Sequence, residues 1–235
     1  MPPGRLNPVR MPRVCVNGFR RLIAEGGTGV ATGGGKMTLT ELEWLLAEDA
    51  RPLLAHLRTG PARRRKLRLF ACAVCRGSGD GLDTERGRRA AELAERFADG
   101  TALKREMSAA RSAARGLPRA VANALAWRAA EIAAAWSPST TTVALLRDVF
   151  GNPFRPVTVD RAWLTWSDGT ILQLARAAYE ERCLPSGVLD PARIAILADA
   201  LEDAGCTITD VVGHCRSGGA HVRGCWVVDM LLGKE

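Results

Sequence analysis

Asp190-Pro-Ala-Arg-Ile-Ala-Ile-Leu-Ala-Asp-Ala-Leu-Glu-Asp-Ala-Gly205 is the stretch that decides the fold class. Aspartate followed by proline opens a helix well: the carboxylate takes a free backbone N–H, and a first-turn proline gives up no hydrogen bond. Ile194, Leu197, Ala198 and Leu201 then recur at steps of three and four residues, which places them on one face, and Gly205 supplies the stop. The same spacing governs nearly everything from Thr38 onward, with alanine and leucine abundant and β-branched runs scarce. The expected fold is therefore all-α, an irregular bundle of about eight helices in two packed subdomains.

Working upstream, Thr38 or Thr40 with Glu41 or Glu43 three residues on reads as a capping box, and Pro52 restarts the chain as a first-turn proline. A second main helix is expected over 62–76, a third from a cap at Asp83 to Gly100, and a fourth from a cap at Thr101 to Gly116. An alanine-dense helix follows over 118–136, bulked by Trp127 and Trp136. Residues 137–142 read as a polar connection, and 145–150 as a short helical turn ended by Gly151-Asn-Pro. Pro153 and Pro156 hold their predecessors extended, in a loop that Phe150, Phe154 and Trp163 should anchor. Asp168 is expected to cap a helix with an apolar face at Ile171, Leu174, Ala175 and Ala178. Two last helical pieces, about 208–215 and 223–232, flank a Gly218-Gly219 turn.

The net charge of +8 invites a nucleic-acid reading until its distribution is considered. Residues 1–36 carry six Lys or Arg against Glu25 alone, residues 37–147 carry nineteen basic and twelve acidic side chains, and residues 148–235 carry eight and twelve. A basic helical subdomain at 37–147 and an acidic one at 148–235, meeting near 137–157, is the domain division this suggests. The Pro-, Gly- and Arg-rich leader at 1–36 is expected to be disordered, and translation to start at Met37, which opens directly onto a capped helix; a genuine flexible tail is the alternative. Val14 to Ile23 is too broken by polar residues for a secretory signal. Gly29 to Lys36 fails as a phosphate loop, since Val30 and Met37 stand where glycine and Ser or Thr are needed.

The chemistry-bearing residues concentrate near the C-terminus. Cys206, His214, Cys215, His221 and Cys225 bring two of the three histidines and three of the seven cysteines into one short segment. Zinc takes four nitrogen or sulfur ligands in a tetrahedron, so Cys206, His214, His221 and Cys225 are the candidate ligands, with a purely structural role for all of them as the alternative. Cys72-x-x-Cys75 falls late in a helix, where the dipole opposes a thiolate, and reads as packing, with metal binding and a redox dithiol as the alternatives. Cysteines without a secretion signal place the chain in a reducing, cytoplasmic setting, and no apolar run is long enough to span a membrane. Arg63, Arg64, Arg65 and Lys66 lead the strongest basic run, which Arg51 and Arg58 lengthen, and are the candidates for contacting phosphates, but no aromatic residues interleave it for base stacking. A solvated face, or a partner for the acidic half, is the competing reading.

Leu197-Ala-Asp-Ala-Leu-Glu-Asp-Ala-Gly-Cys206, His214-Cys-Arg and His221-Val-Arg-Gly-Cys-Trp-Val-Val-Asp229, together with Leu146-Arg-Asp-Val-Phe-Gly-Asn-Pro-Phe-Arg-Pro-Val157, resemble the signature of a large paralogous family of uncharacterised planctomycete proteins. Lys66-Leu-Arg-Leu-Phe-Ala-Cys72 and Glu43-Trp44 extend the likeness upstream. The resemblance implies membership and brings no activity with it. Gly-x-Ser-x-Gly and His-Glu-x-x-His strings are missing, and Asp229 beside His221 is thin ground for an acid–base pair. The expectation is a helical protein-interaction module without catalysis, presenting Asn152, Arg155, Arg216 and Arg223 from short loops to a protein partner. A small zinc domain is the alternative, and a weak nucleic-acid binder the third.

Overall fold

The structure, a computed structural model, describes residues 39–58, 64–78, 84–113, 126–137 and 139–234. The leader at 1–36, the expected start at Met37, Arg63 and the expected cap at Asp83 lie outside the described residues. The fold is all-α: among the described residues extended pairing is confined to isolated bridges joining Cys183 to Val188 and Val188 to Val222.

Local chemistry sets the helix ends. Thr40 caps α1 (Glu41–Leu46) in a full capping box with Glu43, whose carboxylate accepts the Thr40 N–H at 2.7 Å. Asp49 caps α2 (Ala50–Leu57), so the expected break before Pro52 is a short turn between two helices. The chain continues through α3 (Arg64–Ser78), α4 (Glu85–Ala98), α5 (Lys104–Ala113) and α6 (Ala126–Trp136). Thr84 caps α4 by accepting from Gly87. Thr101 does not cap α5; its hydroxyl turns back to donate to the Arg96 carbonyl at 3.0 Å.

A larger departure concerns α7 (Thr140–Phe150), which is a full helix where a polar connection and one turn were expected. Ser139 accepts the Thr142 N–H at 3.2 Å and the Thr142 hydroxyl donates to the Ser137 carbonyl, so the Ser/Thr run is a cap rather than a linker. The chain then runs through α8 (Arg161–Thr165), α9 (Thr170–Glu180), α10 (Pro191–Asp203), α11 (Thr209–Cys215) and α12 (Trp226–Leu231). Asp190 and Pro191 open α10 as expected. Asp168 is not the cap of α9: with φ 54° it sits in a left-handed turn, and Gly169 takes the cap position.

Apolar residues gather in two cores. One is built around α3, which packs against α4, α6 and α7, and includes Trp44, Leu53, Leu67, Phe70 and Leu146. The other lies among α9, α10, α11 and α12 and includes Ile171, Ile194, Leu197, Leu201 and Leu231. Each fully buried leucine or isoleucine contributes about 1.5–3 kcal/mol of transfer free energy, so these faces rather than helix propensity hold the elements. Val222, from the loop before α12, inserts into the first core.

Buried ion pairs tie the two cores together. Arg65 on α3 reaches Asp99 at 2.9 Å, both carboxylate oxygens of Asp229 on α12, the Lys234 carbonyl at 2.8 Å and the Tyr179 hydroxyl at 2.7 Å. Tyr179 in turn donates to Asp99 at 2.8 Å, and Arg223 reaches the same carboxylate at 2.9 Å. A second buried set joins Glu95 to Arg76 at 2.8 Å and to Arg182 at 2.6 Å.

Candidate metal centre

Four side chains converge where the two cores meet. Asp148 lies in the last turns of α7, between the core residues Leu145, Leu146 and Val149. His214 is the penultimate residue of α11, and His221 and Cys225 come from the loop that leads into α12. That loop is pinned rather than loose. The Leu189 N–H donates to the His221 carbonyl at 2.8 Å, the Cys225 N–H closes a turn onto Val222 at 2.8 Å, and Val222 bridges to Val188. Gly224, at φ 98°, runs so close to Leu69 that a Cβ there would fall 2.9 Å from its Cδ1, so only glycine lets the backbone deliver Cys225 to this point.

One potential ligand atom from each of Asp148, His214, His221 and Cys225 lies within 4.8 Å of the others. The Asp148 carboxylate is 2.7 Å from His221 Nδ1 and 3.1 Å from His214 Nε2. The Cys225 Sγ is 3.2 Å from the same His214 Nε2 and 3.9 Å from His221 Nδ1. Zinc bonds of about 2.0–2.3 Å give tetrahedral edges of roughly 3.3–3.8 Å, and the observed separations bracket that value. The other Asp148 oxygen accepts the Val222 N–H at 2.9 Å, an outer contact of the kind that orients a ligating carboxylate.

The arrangement is not that of a nucleophile relay. A Cys–His–Asp relay passes a proton through the two nitrogens of one imidazole, the base taking it on one and the carboxylate holding the other. Here Cys225 and Asp148 both meet His214 at Nε2, and both meet His221 at Nδ1, while His221 Nε2 is buried without a partner. Four ligand atoms this close together could hold a cation.

In the metal-free chain the buried carboxylate and thiol shift in opposite directions. Burial alone would raise the Asp148 carboxyl, but hydrogen bonds from His214 and His221 outweigh it and hold the group below its usual range. Burial, and then the Asp148 charge, push the Cys225 thiol well above its ordinary value, and burial carries Cys215 up to about 12. A bound cation reverses that preference for the thiol by stabilising the thiolate directly.

Beside the centre runs a groove of about 690 Å³, into which His214 and Trp226 face. The Trp226 ring lies 5.3 Å from the His214 ring, which is itself 4.7 Å from His221. Gly151 makes that packing possible: it ends α7 at φ 66°, and a Cβ there would sit 3.0 Å from Trp226 Cγ.

His214, His221 and Cys225 lie together, and the fourth member of the group is Asp148. Cys206 is instead a buried member of the second core and is not part of the group. Asp148 was missed because its sequence neighbourhood reads as a turn; the available signal was a carboxylate set among core-spaced apolar residues of one helix. Asp229 does not pair with His221, being held by Arg65. Cys72 and Cys75 are both buried on α3, and burial raises the Cys72 thiol far above a redox-competent range.

The loop arginines all have partners inside the chain. Asn152 and Arg155 both hold Glu41, at 2.7 and 2.6 Å, Arg216 holds Asp199 and Glu202 at 2.6 Å, and Arg223 holds Asp99. The described residues of the basic run do not form a continuous charged surface. Arg64 is exposed, Arg65 is committed to the inter-core network and Lys66 is buried. Comparison of the chain with protein families, with curated proteins and with solved structures finds no match.

Proposed function

We propose that the chain is a non-catalytic helical interaction module whose two cores are stapled by a structural zinc ion at Asp148, His214, His221 and Cys225. The observation that carries this reading is the convergence of four potential ligand atoms, drawn from elements of both cores, within 4.8 Å of one another. Two imidazoles, one carboxylate and one thiol suit zinc, a borderline ion that accepts nitrogen, oxygen and sulfur in any mixture. Four protein donors complete its tetrahedron and leave no position for an activated water, which favours structure over hydrolysis. Zinc would neutralise the buried carboxylate and thiolate and tie α7 to α11 and α12.

Cobalt(II) substitution tests the reading. Cobalt should bind with tetrahedral visible bands and a thiolate charge-transfer band that disappears in Cys225→Ser. Octahedral spectra, or a charge-transfer band unchanged by Cys225→Ser, would refute it.

A further inference from the structure

The groove beside the candidate metal centre has both apolar and charged side chains in its lining. Its lining includes Trp44 and Leu45 of α1, Phe150, Pro156, Trp226 and Met230, with Arg147 and the acids Glu41 and Asp210 among them. Its volume of about 690 Å³ falls within the usual range for binding clefts. The apolar surface does not stop at the rim. Leu42, Leu45 and Leu46 are 65%, 48% and 69% exposed and follow one another at helical spacing on α1, so an apolar strip continues out of the groove along that helix.

Arg147 supplies the polar element. Its Nε and Nη2 hold the Trp44 carbonyl, at 3.1 and 2.6 Å, and Nη2 also holds the Ala47 carbonyl at 3.0 Å. These bonds fix the guanidinium in the groove wall and leave Nη1 unspent. Among the described residues Arg147 has no carboxylate partner. The neighbouring acid Glu41 is already taken by Arg155 and Asn152 and is not available to it. A half-buried guanidinium held by carbonyls alone carries an uncompensated charge, which a ligand carboxylate would satisfy with one of the stronger hydrogen bonds open to a protein.

We propose that this groove binds an acidic, leucine- or aromatic-bearing peptide segment of a partner protein, with a carboxylate on Arg147 and apolar side chains over Leu45 and Trp226 and along Leu42 and Leu46. A nucleic acid does not suit a largely apolar groove whose lining also carries Glu41 and Asp210, and a small molecule would leave the strip on α1 uncovered. The inference rests on reading the domain as an interaction module and names the partner's chemistry.

Selection from a random-peptide display library on the immobilised full chain, purified without chelator or added metal, tests it. Enriched peptides should combine Asp or Glu with Leu, Phe or Trp, and should bind at least about tenfold more weakly to the Leu42→Ser/Leu46→Ser variant. The acidic preference should survive in Arg147→Lys and vanish in Arg147→Gln, each checked for unchanged helicity. Enrichment of basic peptides, no saturable binder, or binders indifferent to the α1 substitutions would overturn the proposal. So would sedimentation as a dimer that Leu42→Ser/Leu46→Ser dissociates, since the strip would then belong to a second copy. Metal analysis of the same sample separates the two claims: metal without acidic binders leaves the staple standing and removes the groove, and acidic binders without metal do the reverse.

Discussion

Replacing Asp148 by asparagine separates a metal centre from a cluster held only by hydrogen bonds. The substitution keeps the shape and removes the charge. In the metal-free protein it disturbs the contacts to His221, His214 and Val222, at 2.7, 3.1 and 2.9 Å. Hydrogen bonds to a charged group contribute about 1.5–3 kcal/mol each, and asparagine can keep part of the set, so a loss of about 2–4 kcal/mol is expected. The more telling quantity is the response to zinc. A ligand present at a hundred times its dissociation constant stabilises the native state by about 2.7 kcal/mol. For a chain of this size each kcal/mol moves Tm by about 2–4 °C, so zinc should raise the wild-type Tm by roughly 5–11 °C. If losing the anionic ligand weakens zinc about a hundredfold, the same zinc concentration gives only about 0.4 kcal/mol, or 1–2 °C. Differential scanning calorimetry with and without zinc reads both effects. A zinc-induced rise of equal size in wild type and Asp148→Asn, or no rise in wild type, would refute the reasoning.

Three further outcomes follow from named contacts. Gly151→Ala, placed at φ 66° with its Cβ 3.0 Å from Trp226 Cγ, should cost about 1–3 kcal/mol by urea unfolding and shift the tryptophan emission; an unchanged midpoint would count against the Gly151–Trp226 packing. Burial raises the Glu95 carboxyl, but hydrogen bonds from Arg182 and Arg76 outweigh this and hold its pKa below the ordinary 4.5. A group depressed in the folded state contributes stability above its unfolded pKa that fades as pH falls, so Glu95→Gln should flatten the loss of Tm below about pH 4.5, and parallel wild-type and variant profiles would contradict it. In a Cys15→Ser background Cys183, the exposed thiol among the described cysteines, should react with Ellman's reagent at once, with Cys72, Cys75, Cys206, Cys215 and Cys225 reacting only on unfolding; a second fast thiol would show that one of these sites opens.

The helical class was legible because burial at three- and four-residue spacing writes itself into the sequence, as the Asp190–Gly205 stretch demonstrates. The start of α7 was not, since serine and threonine serve equally in loops and in caps, and only the Ser139 side-chain acceptor and the Thr142 hydroxyl bond to the Ser137 carbonyl distinguish the two. Asp168 misled for a related reason: its cap signature is real, but the left-handed turn over Ser167 and Asp168 hands the cap to Gly169. Of the candidate metal centre, the sequence offered the residues that lie close along the chain, His214, His221 and Cys225. Asp148 lies about seventy residues away from His221 and is brought there by packing between the two cores, which no local pattern encodes. Cys206 was proposed because it lies near the others in sequence, yet the end of α10 turns it into the second core.

Elemental analysis of protein purified without chelator or histidine tag tests the staple most directly. The account predicts about one zinc per chain in the wild type, falling toward zero in both Asp148→Asn and Cys225→Ser while helicity is retained. A fully folded, metal-free chain whose stability does not respond to added zinc would contradict it.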